Sequence, residues 1–479
     1  SIDKRAYTLD FREIAPSAAT AKMYLDKGGD PVENLSTVGA LAAGVPGEVA
    51  GLYELHHRHG KLPWIKIVTP AWYAARDGFP MHALLYDQTK SKLAYIKRSE
   101  TLSRALLTSD GEVKPIGSKV HLLDLARTLE AIAQRGAEGF YQGSIAEEIA
   151  SATQAAGGGI TVADLKNYQP KEREVLRGTY QGYTLMAMPP PSSGGAVIIQ
   201  ALRSLEETLK PLTPQKLGHE SHLYLHALTE SLKHAFADRA RYMGDPDFVS
   251  VPVKALTDAN YITQRAADIQ PTSISDTPSV KPGLKESEDT THFSIMDRWG
   301  NAVANTTTIN LTFGSGVVVT GAGFLLNDEM DDFSAKPGVP NFFGAVGGEA
   351  NAIEPYKRML SSMTPTLVTK DDQVVLVTGS PGGTTIISSV TQSLLNALLY
   401  DMSAEEAVNS PRFHHQLLPK DTIRMHDGFT EATVNELKAM GYTIDNRRFG
   451  DVHLIKRTKE GVEAASEKSG RGKSLVQPY

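Results

Sequence analysis

The spacing of apolar and polar residues divides the chain into strands and helices without a regular alternation of the two. Ala6 to Asp10 reads as a short strand. Gly44-Val45-Pro46-Gly47 punctuates the chain ahead of a helix through Leu55. A long helical tract then continues to about Gly136, with Leu122, Leu125, Leu129 and Ile132 on one face and Gly136 as the stop. Ser144 and Glu147 have capping-box spacing, Gly157-Gly158-Gly159 ends the helix they open, and Thr161 caps the next. Tyr180 to Met188 reads as a strand, broken by Pro189-Pro190-Pro191; the Gly194-Gly195 pair then allows close approach to a following helix. Glu220 to Tyr242 is a long amphipathic helix with Leu225, Leu228, Leu232 and Ala235 inward. Val374 to Thr378 is a buried strand, and a helix follows from about Thr384 to Leu399.

The most chemically suggestive pattern runs from Asp289 to Phe333. Thr291, Phe293 and Ile295 alternate with His292 and Ser294, the period of a strand with one buried face. Asp297-Arg298-Trp299-Gly300 is a turn signal, and Asn301 to Ile309 returns as a second strand, so a hairpin brings Thr308 beside Thr290. Threonine-rich alternation by itself describes an ordinary strand. A threonine hydroxyl becomes a nucleophile only with a base, and one solution is the residue's own α-amine once the preceding peptide bond is cut. The Asp289–Thr290 bond is a candidate for that cut. Thr272 to Asp289 is rich in Pro, Ser and acidic residues and reads as an exposed, flexible linker, which a self-cleaving precursor needs at this place.

Composition narrows the partners. A net charge of −6 argues against nucleic acid or an anionic membrane surface. The absence of cysteine excludes disulfides and thiolate sites. No apolar run approaches the ~20 residues that span a bilayer. His56, His57 and His59 raise metal binding, but cations at a helix C-terminus also suit its dipole. His222 and His226 lack the glutamate of a zincin, because residue 223 is Leu. Gly379-Ser380-Pro381-Gly382-Gly383 matches neither nucleotide-binding glycine pattern; its other use is to aim free N–H groups at an oxyanion.

Several longer runs then occur in a telling order: LDFREIAP, GVPGEVAG, MPPPSSGG, GDPDFVSVP, TTHFS, NAVANTTTIN, GFLLNDEMDDFSAKPGVPN, KRMLSSMTPT and GSPGG. Together they resemble the γ-glutamyltransferase (γ-glutamyl transpeptidase) family of N-terminal-nucleophile hydrolases over nearly the whole chain. The resemblance implies an α+β fold, a four-layer α-β-β-α sandwich shared by a large piece, 1–289, and a small catalytic piece, 290–479. It implies self-cleavage between Asp289 and Thr290, with Thr290 as nucleophile, Thr308 orienting it, and Gly382 and Gly383 holding the oxyanion. Arg12, Ser361 and Ser362 match the family's contacts to the substrate α-carboxylate; Asn310, Glu329 and Asp332 match its ammonium contacts, position 329 varying between Gln and Glu. The loop from Pro337 to Gly348 resembles the family's lid, where Phe343 stands for a frequent Tyr and removes the hydroxyl that would latch onto Asn310. Pro411-Arg412-Phe413-His414-His415 matches a further family run, its histidines read as packing residues.

The implied substrates are glutathione and other γ-glutamyl compounds, with water, amino acids or peptides as acceptors, and no metal or organic cofactor. The implied partners are the two cleavage products themselves, as a heterodimer, in a periplasmic or secreted setting. The opening SIDKRAYTLDF has no initiator Met and begins at the edge of a strand. Against the family it lacks a stretch of several tens of residues, the expectation for a processed or truncated product. The ending SEKSGRGKSLVQPY departs from the family and receives no role. Two rivals remain: a glutaryl-type (cephalosporin) acylase of the same superfamily, and an uncleaved, inactive precursor that only binds small amino acids or peptides.

Overall fold

The computed structural model describes residues 5–210, 212, 214–276, 290–339, 341 and 344–477. Its centre is a six-stranded antiparallel sheet. The strands are β1 (Leu176–Tyr180), β2 (Tyr183–Ala187), β5 (Thr366–Lys370), β6 (Gln373–Gly379), β7 (His453–Arg457) and β8 (Val462–Ser466), and between β2 and β5 in sequence come β3 (Thr290–Met296) and β4 (Ala302–Thr308). The spatial order is β8-β7-β6-β5-β2-β1, while β3 and β4 form a separate two-stranded hairpin.

Three helices lie to one side of the sheet: α1 (Gly194–Thr208), α2 (His222–Tyr242) and α3 (Thr385–Leu398). α1 and α3 pack directly on strands, and α2 packs on α1. Leu202, Leu228 and Val390 from the helices meet Leu185, Val368, Leu376 and Leu454 from the sheet in the largest apolar core. Strand alternation sends Gly379 the other way. A side chain there would collide with the His292 imidazole, since a Cβ would come 2.2 Å from the ring. The β3–β4 hairpin thus packs on the face opposite the helices, against β5, β6 and β7.

The hairpin has the expected register, Thr290 opposite Thr308. Its buried face reverses the apolar expectation: Thr290 and His292 are buried, whereas Phe293 and Ile295 are 39% and 52% exposed. The polar face can be buried because its groups bond one another. His292 Nδ1 pairs with Thr306 Oγ1 at 2.8 Å and Nε2 with Ser294 Oγ at 3.0 Å. Burial, with His453 stacked nearby, pushes the imidazole pKa down to about 3, so it stays neutral.

Other boundaries also differ from the pattern. The tract expected to run on to Gly136 is instead a series of helices, including Glu48–His59, Trp64–Asp77, Glu100–Leu106 and Leu123–Arg135, interrupted by the strand pair Phe79–Pro80 and Lys119–Val120. Gly60 and Pro63 open the first gap, and Gly78 at φ 86° turns the chain at the second. Ser144 is the first helical residue and no cap: Gly143 holds that position with φ 70°. Thr161 does close a reciprocal capping box, with Asp164. The strand expected over Tyr180 to Met188 is a hairpin of β1 and β2, because Gln181 and Gly182 both adopt positive φ, the signature of a tight strand-reversing turn. The linker is described to Asp276 only, and its start is anchored: Ser275 N–H donates to the buried Glu230 carboxylate at 3.0 Å. No described helix is long and apolar enough to cross a membrane.

Candidate active site

The hairpin ends in a pocket. Thr290, Thr308, Asn310, Arg12, Glu329, Asp332, Ser361, Ser362 and Gly383 all line it, and Gly382 is not among its lining residues. Asp289 and Phe343 lie outside the described residues.

Thr290 Oγ1 faces Thr308 Oγ1 at 3.5 Å, at the outer limit of a hydrogen bond. Thr308 is fixed in turn, since its hydroxyl oxygen accepts the Asn310 N–H at 2.8 Å. Asn310 sits at φ 71°, a conformation that asparagine tolerates, and its amide donates to the Asp328 carbonyl at 3.0 Å. Gly382 and Gly383 follow β6 at φ 127° and 55°. They precede α3, where N–H groups have no helical partner. Among the described residues neither N–H donates to a backbone or side-chain acceptor, and Gly383 lines the pocket; free N–H groups of this kind can hold an anion.

The opposite wall is ionic. Arg12 is buried and its two terminal nitrogens donate to Glu329 and Asp332, one to each. The pairing differs from the expected division of labour, in which Arg12 serves a carboxylate and the acids serve an ammonium. In the structure these groups satisfy each other. Burial alone lowers the Arg12 pKa, and the two carboxylates outweigh it and raise the value; burial raises both acids, opposed chiefly by Arg12. Glu329 Oε1 is buried without a hydrogen-bond partner, a strong acceptor left open. The acids ride on a short 3₁₀ turn, Glu329–Asp332. Asn327 staples that turn to the loop before the first long helix, bonding Gly44 N–H and carbonyl at 2.9 Å each. The loop resembling a lid reaches the pocket through Asn341, whose amide donates to Asp332 at 3.1 Å.

Two residues near the nucleophile escaped sequence reasoning. Arg239 of α2 is buried and lines the pocket, donating to Ser193 Oγ at 2.9 Å and Ser362 Oγ at 3.2 Å. A signal existed: Arg239 continues the inward stripe of Leu228, Leu232 and Ala235 by one more turn, and a charge on such a stripe calls for a partner. Arg471, in the tail that received no role, donates to the Thr290 carbonyl at 2.9 Å. No pattern in the sequence pointed to it. His414 and His415, by contrast, pack as expected: burial pushes their pKa values down to about 3 and 4.

The gamma-glutamyltranspeptidase family profile matches residues 1–477. The chain belongs to the γ-glutamyltranspeptidase family. It is 48% identical over 480 residues to a glutathione hydrolase proenzyme of Pseudomonas aeruginosa, covering 99% of this chain and 85% of that one. With the glutathione hydrolase proenzyme of Escherichia coli it shares 45% over 439 residues, 91% of this chain and 75% of the relative. Among solved structures, a cephalosporin acylase from Bacillus halodurans superposes with TM-score 0.82 at 25% identity, covering 97% of this chain and 83% of its own. The Helicobacter pylori gamma-glutamyltranspeptidase gives TM-score 0.54 at 36% identity, over 57% of this chain and 76% of its own. The mixed α+β fold is therefore common to the transpeptidases and the acylase, while the sequence lies nearer the glutathione hydrolases.

Proposed function

We propose that this chain is the precursor of a γ-glutamyltransferase with glutathione hydrolase activity, cut between Asp289 and Thr290. One observation carries the reading: a threonine pair at the mouth of a hairpin opens on a pocket walled by both buried guanidinium and buried carboxylate. That combination suits a zwitterionic γ-glutamyl head. In self-cleavage Thr290 Oγ attacks the Asp289 carbonyl, the peptide nitrogen leaves as the Thr290 amine, and water hydrolyses the resulting ester. An unperturbed α-amine has a pKa of about 7.7–8.0, low enough to serve as base near pH 8.

In turnover the α-amine takes the Thr290 proton as Oγ attacks the γ-carbonyl. The oxyanion meets the Gly382 and Gly383 N–H groups, Thr308 orients Oγ, and the leaving amine departs with a proton. Water or an acceptor amine then resolves the γ-glutamyl ester. Arg12, Ser361 and Ser362 take the α-carboxylate; Asn310, Glu329 and Asp332 take the ammonium. The open Oε1 of Glu329 supports this division. Residues 1–289 and 290–479 then form a heterodimer within one four-layer sandwich. The helices on one face of the six-stranded sheet and the hairpin on the other support this layered reading. A periplasmic or secreted setting belongs to the same proposal.

Intact-mass analysis during incubation, with turnover of a γ-glutamyl anilide followed in parallel, tests the reading. The expected result is two fragments, the smaller beginning at Thr290, and activity rising with cleavage. Full-length protein alone after long incubation would favour the inactive-precursor rival.

Arg12→Lys gives a narrower test. A lysine offers a point charge where the fork bridged two groups. We expect kcat/KM on the anilide to fall by about 1.5–3 kcal/mol, roughly ten- to a hundredfold, with self-cleavage unaffected because no substrate is then present. Wild-type kcat/KM in this variant would remove Arg12 from carboxylate recognition.

A further inference from the structure

The pocket holds a second buried cation besides Arg12, and it is differently placed. Both terminal nitrogens of Arg12 are occupied by Glu329 and Asp332. Arg239, only 5% exposed, forms no ion pair with any carboxylate among the described residues. Its Nε and Nη2 donate to two neutral hydroxyls, Ser193 and Ser362. Its Nη1 has no acceptor among the described residues, on a side chain that lines the cavity beside Thr290, Ser361 and Ser362. A buried guanidinium without a direct ion pair is costly. Burial accordingly presses its pKa down to about 10, eased by the Asp332 charge, and it remains protonated at neutral pH.

From this arrangement we infer that Arg239 is a specificity-determining residue, the cation whose missing ion-pair partner is the α-carboxylate of the γ-glutamyl group. The inference rests on the γ-glutamyl reading above and deepens it. Arg12 already serves two acids and the Met359 and Leu360 carbonyls, whereas Arg239 has a whole terminal nitrogen open. It also conditions the serine wall. Ser362 Oγ accepts from Arg239, which leaves the Ser362 proton to be donated onward, strengthened by the charge behind it. Ser193 Oγ accepts from the same guanidinium and donates to the Ser361 carbonyl at 2.8 Å, which fixes the segment carrying both serines. A zwitterionic head thus enters as an exchange: its ammonium meets the acids that held Arg12, and its carboxylate settles between Arg12 and Arg239. No buried charge is left unpaired.

The test compares two substrates on matured enzyme, a γ-glutamyl anilide and its analogue in which the α-carboxylate is an α-carboxamide. Wild type, Arg239→Gln and Arg239→Lys are assayed, with rates expressed per fragment beginning at Thr290. Wild type should prefer the carboxylate. Arg239→Gln should lose roughly 30-fold or more in kcat/KM on the carboxylate, mostly through KM, and under about threefold on the carboxamide, so that the preference falls at least about tenfold. Arg239→Lys should recover part of the preference. Equal losses on both substrates would make Arg239 a structural bridge between α2 and the serines and overturn the inference. Failure of both variants to mature would likewise assign it to folding. A wild type with no preference for the carboxylate would instead overturn the γ-glutamyl reading of the pocket itself.

Discussion

Thr290→Ala is expected to leave the chain uncut and without turnover. Two reactions share one hydroxyl, so both should vanish together, turnover by on the order of 10⁴-fold or more, the scale of losing a covalent nucleophile. The geometry allows little substitution by neighbours. The Thr308 hydroxyl lies 3.5 Å away, but its oxygen already accepts the Asn310 N–H. His292, two residues along the same strand face, is neutral and bonded at both nitrogens. Thr290→Ser keeps the hydroxyl and should keep part of both reactions, losing only the methyl that restricts χ1. Mass spectrometry and anilide turnover on the same samples separate the outcomes. An uncut Thr290→Ala protein with wild-type turnover would move the nucleophile elsewhere. A cut one would show that another group opens the Asp289–Thr290 bond.

The same residues show where sequence reading works and where it stops. Alternation and turn chemistry set the hairpin and its register, because Asp297 to Gly300 leaves few ways to turn and the strands on either side are equally long. The direction that hairpin faces was not legible from polarity. Its buried side is made of threonines and a histidine, and only the partners beneath it, Gly379 above all, make that side the inner one. The site motifs were legible because each is a short local run whose residues stay together. The Arg12 pairing was not, since it joins residues more than 300 positions apart, and pairing is settled by mutual burial. Arg471 shows the same limit: its contact with the Thr290 carbonyl comes from the path of the tail, with no local pattern to announce it.

Asp332→Asn separates the γ-glutamyl enzyme from the acylase rival, whose fold the chain shares at TM-score 0.82. A γ-glutamyl group and a glutaryl group both present a terminal carboxylate, and only the first carries the α-ammonium. Asp332 is buried against Arg12 and accepts from Asn341 at 3.1 Å. When the head enters, an ammonium can replace Arg12 as its partner. A glutaryl group offers no cation, so any shift of Arg12 toward that substrate leaves Asp332 uncompensated in a closed pocket, at a desolvation cost. Removing the charge should therefore cost γ-glutamyl turnover about 2–4 kcal/mol, the scale of a charge-assisted hydrogen bond and its orienting effect. In rate this is roughly 30- to 700-fold at 1.4 kcal/mol per factor of ten. Glutaryl turnover should stay level or rise slightly, because the acid that Arg12 had to leave is now neutral. The measurement is kcat/KM for the two anilides, wild type against Asp332→Asn, near pH 8 at fixed salt. Equal losses would mean that Asp332 holds Arg12 and the 3₁₀ turn in place and does not read the ammonium. A wild type that already prefers the glutaryl anilide would give the pocket to the acylase reaction.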